Sequence, residues 1–95
     1  MTDADILTML QVDLGELYPS EARKAFLIQS IQAARAFIAR EGLSLTESAE
    51  DGQLVEMYAA YLVRKRATKE AMSRMLRWAL NNRLFSQKAG GGDAP

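Results

Sequence analysis

Apolar residues recur at three- and four-residue intervals in four stretches of this chain, and nowhere do they alternate as they would in a half-buried strand. The first stretch predicts a helix from about Asp3 to Val12, with Thr2 or Asp3 as its cap and Ile6, Met9 and Leu10 on its inner side. Asp13-Leu14-Gly15 ends it. The second begins near Ser20 and runs to about Glu41, with Gly42 placed as the left-handed residue after it. At 100° per residue, Leu27, Ile31, Ala34 and Ile38 form one stripe, and Phe26, Ala33 and Phe37 the next. A face that wide suits a central packing helix.

The third stretch starts around Ser48–Asp51, where Glu50 and Asp51 complement the positive end of a helix. Leu54, Val55, Met57, Tyr58, Tyr61 and Leu62 cover one face, and Ala59, Ala60 and Val63 much of the other, so this helix is expected to be surrounded. It runs into Arg64-Lys65-Arg66. From Gln53 to Ala89 there is neither glycine nor proline, so propensity also permits a single long helix. We place a break around Ala67–Met72, with Thr68 or Ser73 capping a fourth helix that reaches Gln87.

The pattern therefore predicts an all-α bundle of about four helices over residues 1–88, followed by a flexible glycine-rich tail over 89–95. Ninety-five residues make one domain, and fifteen alanines with few β-branched residues agree with helix.

The fourth helix has two faces. Met72, Met75, Leu76, Ala79, Leu80 and Leu84 form the expected core stripe, while Trp78 and Phe85 share the opposite side, flanked by Arg74, Arg77, Asn81 and Lys88. Large exposed aromatics mark contact surfaces, which makes Trp78, Phe85, Arg74, Asn81 and Lys88 candidates for a subunit or partner interface. Cover by the first helix or by a folded-back tail is the competing explanation, and membrane docking a third.

Charge adds a division along the chain. The net charge is zero, yet residues 1–63 carry −6 and residues 64–88 carry +7. Such a chain can associate with copies of itself or turn a basic surface to a polyanion; a solvated basic helix end is the plain alternative. Arg64, Lys65, Arg66 and Lys69 are the candidate basic surface.

Chemistry is poorly supplied. With no histidine and no cysteine, His-based catalysis, thiolate metal sites and disulfides are excluded, and no cofactor or metal is expected. Glu50-Asp51 lacks calcium-loop spacing, and Tyr58 and Tyr61 are at core spacing. We expect no enzyme. The start of the chain has no secretory pattern, and the longest apolar run, Met57–Val63, is far short of the roughly 20 residues that span a bilayer. The expected setting is the reducing cytoplasm or an assembly built there.

Residues Leu54-Val-Glu-Met-Tyr-Ala-Ala-Tyr-Leu-Val-Arg-Lys-Arg66 and Met72-Ser-Arg-Met-Leu-Arg-Trp-Ala-Leu-Asn-Asn-Arg-Leu-Phe-Ser-Gln-Lys88 resemble the small head–tail connector proteins of long-tailed bacteriophages and prophages. Ala34-Arg-Ala-Phe-Ile-Ala-Arg-Glu-Gly-Leu43 extends the likeness more weakly, which in all covers about Ile6 to Lys88. Members of that family usually carry proline where this chain has Ser73. The resemblance implies a non-enzymatic structural subunit, about a dozen copies of which form a ring beneath the portal protein. Such a ring extends the DNA channel and docks the next head-completion or tail protein, at the virion's head–tail junction after assembly in the host cytoplasm. Its partners would be itself, the portal, the downstream protein and the passing DNA without sequence specificity, with no membrane. The acidic and basic parts of the chain would meet between neighbouring subunits, or Arg64–Lys69 would face the DNA. Two other functions fit the residues: a small DNA-binding regulator reading bases through Arg74, Arg77, Asn81 and Asn82, and a general helical adaptor docking through Trp78 and Phe85.

Overall fold

The computed structural model describes residues 1–69 and 71–91. It is all-α, with four helices in chain order: α1 (Asp3–Leu14), α2 (Glu21–Arg40), α3 (Ala49–Thr68) and α4 (Arg74–Gly91).

Each helix starts at a hydroxyl side chain. Thr2 caps α1 in a capping box, in which its side chain accepts from the Asp5 N–H while the Asp5 carboxylate accepts from the Thr2 N–H. Ser20 and Ser48 accept from the N–H groups of Arg23 and Asp51. Of the two caps considered for α4, Ser73 is the one used, accepting from Leu76 N–H at 3.1 Å. Thr68 instead donates to the Arg64 carbonyl inside the last turn of α3.

Left-handed residues follow the first three helices. Gly15 (φ 71°) closes α1, and Gly42 (φ 98°) follows the last turn of α2. The break between α3 and α4 is real and turns on Lys69, the one non-glycine residue at positive φ (58°) among the described residues. Its N–H closes the last turn of α3 on the Lys65 carbonyl.

The core lies between α1, α2 and α3, and α3 is surrounded as its composition predicts. Ile6 and Leu10 of α1 meet Leu27, Ile31, Ala34 and Ile38 of α2, and Leu54, Val55, Ala59, Ala60 and Val63 of α3. Tyr58 is buried with its ring stacked on Phe37 and is packing, as its spacing predicts. Gly52 lies in the first turn of α3 beneath the Met1 side chain, where a Cβ would collide with that side chain.

α4 packs chiefly on α3, placing Leu76 and Leu80 in the core. Two polar residues on the same side of α4 complete the attachment. Arg83 reaches Asp51, and Gln87 donates to the Gly42 carbonyl while accepting from Ser44 N–H. The α2–α3 connection is thus clasped by α4.

Two expectations are corrected. Met75 is 70% exposed: with α3 as its main support, α4 buries a stripe too narrow to include that position. Ala89–Gly91, assigned to the tail, continue α4, since no proline intervenes and glycine costs a helix only about 1 kcal/mol per residue. The rest of the expected flexible tail, residues 92–95, lies outside the described residues.

Candidate interaction surfaces

The outward side of α4 carries Trp78 at 66% and Phe85 at 73% exposure, and α1 does not cover them. Met75 joins them, making an apolar stripe along the helix. Trp78 also borders a shallow groove between α4 and α3, with Glu50, Gln53 and Met57 on the far wall. Arg74, Asn81 and Lys88, the candidate flanking residues, are all exposed. Arg77 is not available in the same way, because its guanidinium meets the Glu41 carboxylate at 2.7 Å.

That contact belongs to a wider rearrangement of the charge picture. Three of the eight bases of residues 64–88 pair with acids of the first two-thirds within the same chain: Arg64 with Asp13, Arg77 with Glu41 and Arg83 with Asp51. The acidic and basic parts therefore meet partly inside the molecule, since α4 folds back onto α3 and the end of α2. Lys65, Arg66, Lys69, Arg74 and Lys88 have no carboxylate within 4 Å among the described residues.

The candidate basic surface divides accordingly. Arg64 is pinned to Asp13 at 2.9 Å and ties the end of α1 to α3. Lys65 lies over the Tyr61 ring and Arg66 over the Phe26 ring, 5.7 and 5.0 Å from the centroids, which leaves both charges at the surface. Lys69 is exposed at the joint after α3.

A second apolar surface escaped the sequence reading. Val12, Leu17 and Tyr18 are exposed at the corner between α1 and α2, Tyr18 by 97%. The corner is well held. Glu16 accepts two hydrogen bonds from Arg23, at 2.7 and 2.6 Å, just before the Ser20 cap. The apolar residues Val12, Leu14, Leu17 and Tyr18 clustered around Gly15 were the available signal.

One buried acid also escaped. Glu56 of α3 is 6% exposed, and its Oε2 finds no donor. Burial first, then the adjoining Asp13 carboxyl, pushes its pKa up to about 8, against a smaller opposing pull from Arg64. Asp13 is held below the usual carboxylate range by its hydrogen bond with Glu56 and by Arg64. With its pKa raised, Glu56 would keep its proton at neutral pH and donate to an ionised Asp13, which Arg64 holds from the other side.

Among the described residues no three metal-ligating side chains converge, and no helix is long and apolar enough to cross a membrane. Comparison with family models, curated proteins and solved structures finds no match.

Proposed function

We propose that this chain is a structural subunit of the head–tail connector of a long-tailed bacteriophage or prophage. About a dozen copies would form a ring under the portal, extending the DNA channel and docking the next head-completion or tail protein. The observation that carries this reading is the Met75–Trp78–Phe85 stripe, because a helix already seated on its other side has no internal use for an exposed Trp and Phe. The same helix belongs to the segment that resembles the connector family. Lys65, Arg66 and Lys69 suit the passing DNA, since a conduit needs phosphate-directed charge without base-reading geometry.

Negative-stain imaging of concentrated protein, alone and with a portal, tests the reading. Rings are expected. Monomers under both conditions, or tight binding to one duplex sequence, would overturn it; the second outcome would favour a regulator using Arg74, Asn81 and Asn82.

A further inference from the structure

We propose that copies of this chain join head to tail, with the Met75–Trp78–Phe85 stripe of α4 on one copy packing against the Val12–Leu17–Tyr18 corner of the next. This rests on the reading of the chain as a ring subunit and specifies which surfaces meet.

The distribution of exposed apolar side chains carries the argument. Eight large ones are exposed among the described residues. Six of them, each more than 60% exposed, fall into these two groups; the other two, Ile28 and Phe37 on α2, are at 42% and 39%. The groups lie on different elements, one at the α1–α2 connection and one on the outer side of α4. A two-fold dimer needs a single self-complementary patch, whereas a contact that closes into a ring needs two unlike patches.

Charge matches the two surfaces. α4 carries no acid, and its Arg74 and Lys88 have no carboxylate within 4 Å among the described residues. Residues 12–21 carry Asp13, Glu16 and Glu21 and no base. Asp13 and Glu16 are held by Arg64 and Arg23, leaving Glu21, exposed in the first turn of α2, to face the cations of a neighbour. A second copy of this chain therefore has the apolar complement of α4, with Glu21 as the carboxylate of residues 12–21 not already held by an arginine, beside Lys24 on α2.

The corner is also prepared for contact. Gly15, the Glu16–Arg23 pair and the Ser20 cap fix the backbone on both sides of Leu17 and Tyr18, and Pro19 restricts Tyr18 to extended conformations. Little ordering remains to be done on binding. Aromatic side chains bury roughly 150–250 Å² each, so Tyr18, Trp78 and Phe85 alone supply several hundred Å² of contact.

The chain lacks cysteine, which allows a direct test. Tyr18→Cys and Phe85→Cys are made as separate proteins, mixed at high concentration and oxidised. The mixed disulfide dimer is expected in at least tenfold excess over either homodimer. Phe85→Cys homodimers in excess would mean that the stripe meets itself, which overturns the proposal. In parallel, Tyr18→Asp and Trp78→Asp, with helicity checked by circular dichroism, are examined by sedimentation. Each alone should fail to grow beyond monomer, while their equimolar mixture should give dimers and nothing larger. If the unmodified chain assembles and Tyr18→Asp assembles equally well, the pairing is wrong and the ring reading stands. If the unmodified chain does not associate even with a portal present and the paired cysteine variants do not cross-link, both fall.

Discussion

Arg83 grips Asp51 at two points inside the molecule, its Nε 2.7 Å from Asp51 Oδ1 and its Nη2 3.0 Å from Oδ2. Asp51 is 1% exposed, and Thr46 supplies two further hydrogen bonds to Oδ2 through its N–H and its hydroxyl. Burial alone would raise the Asp51 pKa; the donors from Arg83 and Thr46 outweigh it and hold the carboxyl below its usual range. Removing Arg83 leaves that buried charge partly uncompensated. Arg83→Ala should therefore destabilise the fold by about 3 kcal/mol, read from urea unfolding at neutral pH. In a double-mutant cycle Asp51→Asn should recover part of the loss; strict additivity of the two substitutions would show that the pair is not coupled.

The Glu56–Asp13–Arg64 cluster predicts an alkaline loss of stability. Glu56 binds its proton more tightly folded than unfolded, so its contribution is fully present below the unfolded carboxyl range near 4.5 and is lost as pH rises towards about 8. Asp13 acts in the opposite sense, its contribution being lost as pH falls through its depressed folded value. Glu56→Gln keeps a donor and cannot ionise. It should flatten the decline between pH 5 and about 8 and leave the variant more stable than the parent at pH 9, on the order of a few kcal/mol. Parallel pH profiles for the two proteins would count against a protonated Glu56.

Lys69 holds a left-handed conformation that costs an L-residue roughly 1 kcal/mol and glycine almost nothing. Lys69→Gly should raise stability by about 0.5–1 kcal/mol, with the loss of one exposed charge as a minor effect. Thermal unfolding at fixed pH checks this, and a lowered midpoint would mean that the joint needs the side chain itself.

Outer and inner positions of α4 should separate cleanly. Trp78→Ala and Phe85→Ala should change monomer stability by less than about 1 kcal/mol, since neither is in the core. Leu80→Ala, at a position 2% exposed, should cost about 2–4 kcal/mol. If the two aromatic variants unfold as readily as Leu80→Ala, the stripe is packing after all.

The helices were legible because local chemistry decides their starts: Thr2, Ser20, Ser48 and Ser73 stand where the first N–H groups of each helix need an acceptor. The sequence alone leaves the cap itself open between Thr2 and Asp3 and between Thr68 and Ser73. What stayed hidden depends on which surfaces meet. An acid at a helix start looks the same whether solvated or clasped, so Asp51 passed for an ordinary first-turn charge. The usable clue lay in α4, where Leu76, Leu80, Arg83 and Gln87 fall on one side of the helix, placing two polar residues where burial was due. Met75 was misplaced for the converse reason, an apolar residue at the margin of a stripe that only one helix broadly covers. Trp78 and Phe85 were legible because they lie directly opposite that stripe.

The clasp by Arg83 and Gln87 divides the molecule into units of unequal cooperativity. α1, α2 and α3 supply most of the apolar interior, and α4 adds Leu76 and Leu80 to the same cluster, with Ala79 and Leu84 against it and polar contacts to the α2–α3 connection. Releasing α4 would cost those polar contacts and the burial of Leu76 and Leu80, while most of the cluster's side chains belong to the other three helices. The amides of α4 are thus expected to exchange with solvent through a smaller, less costly opening than those of α2 and α3, and any ligand seated on the stripe would slow them selectively.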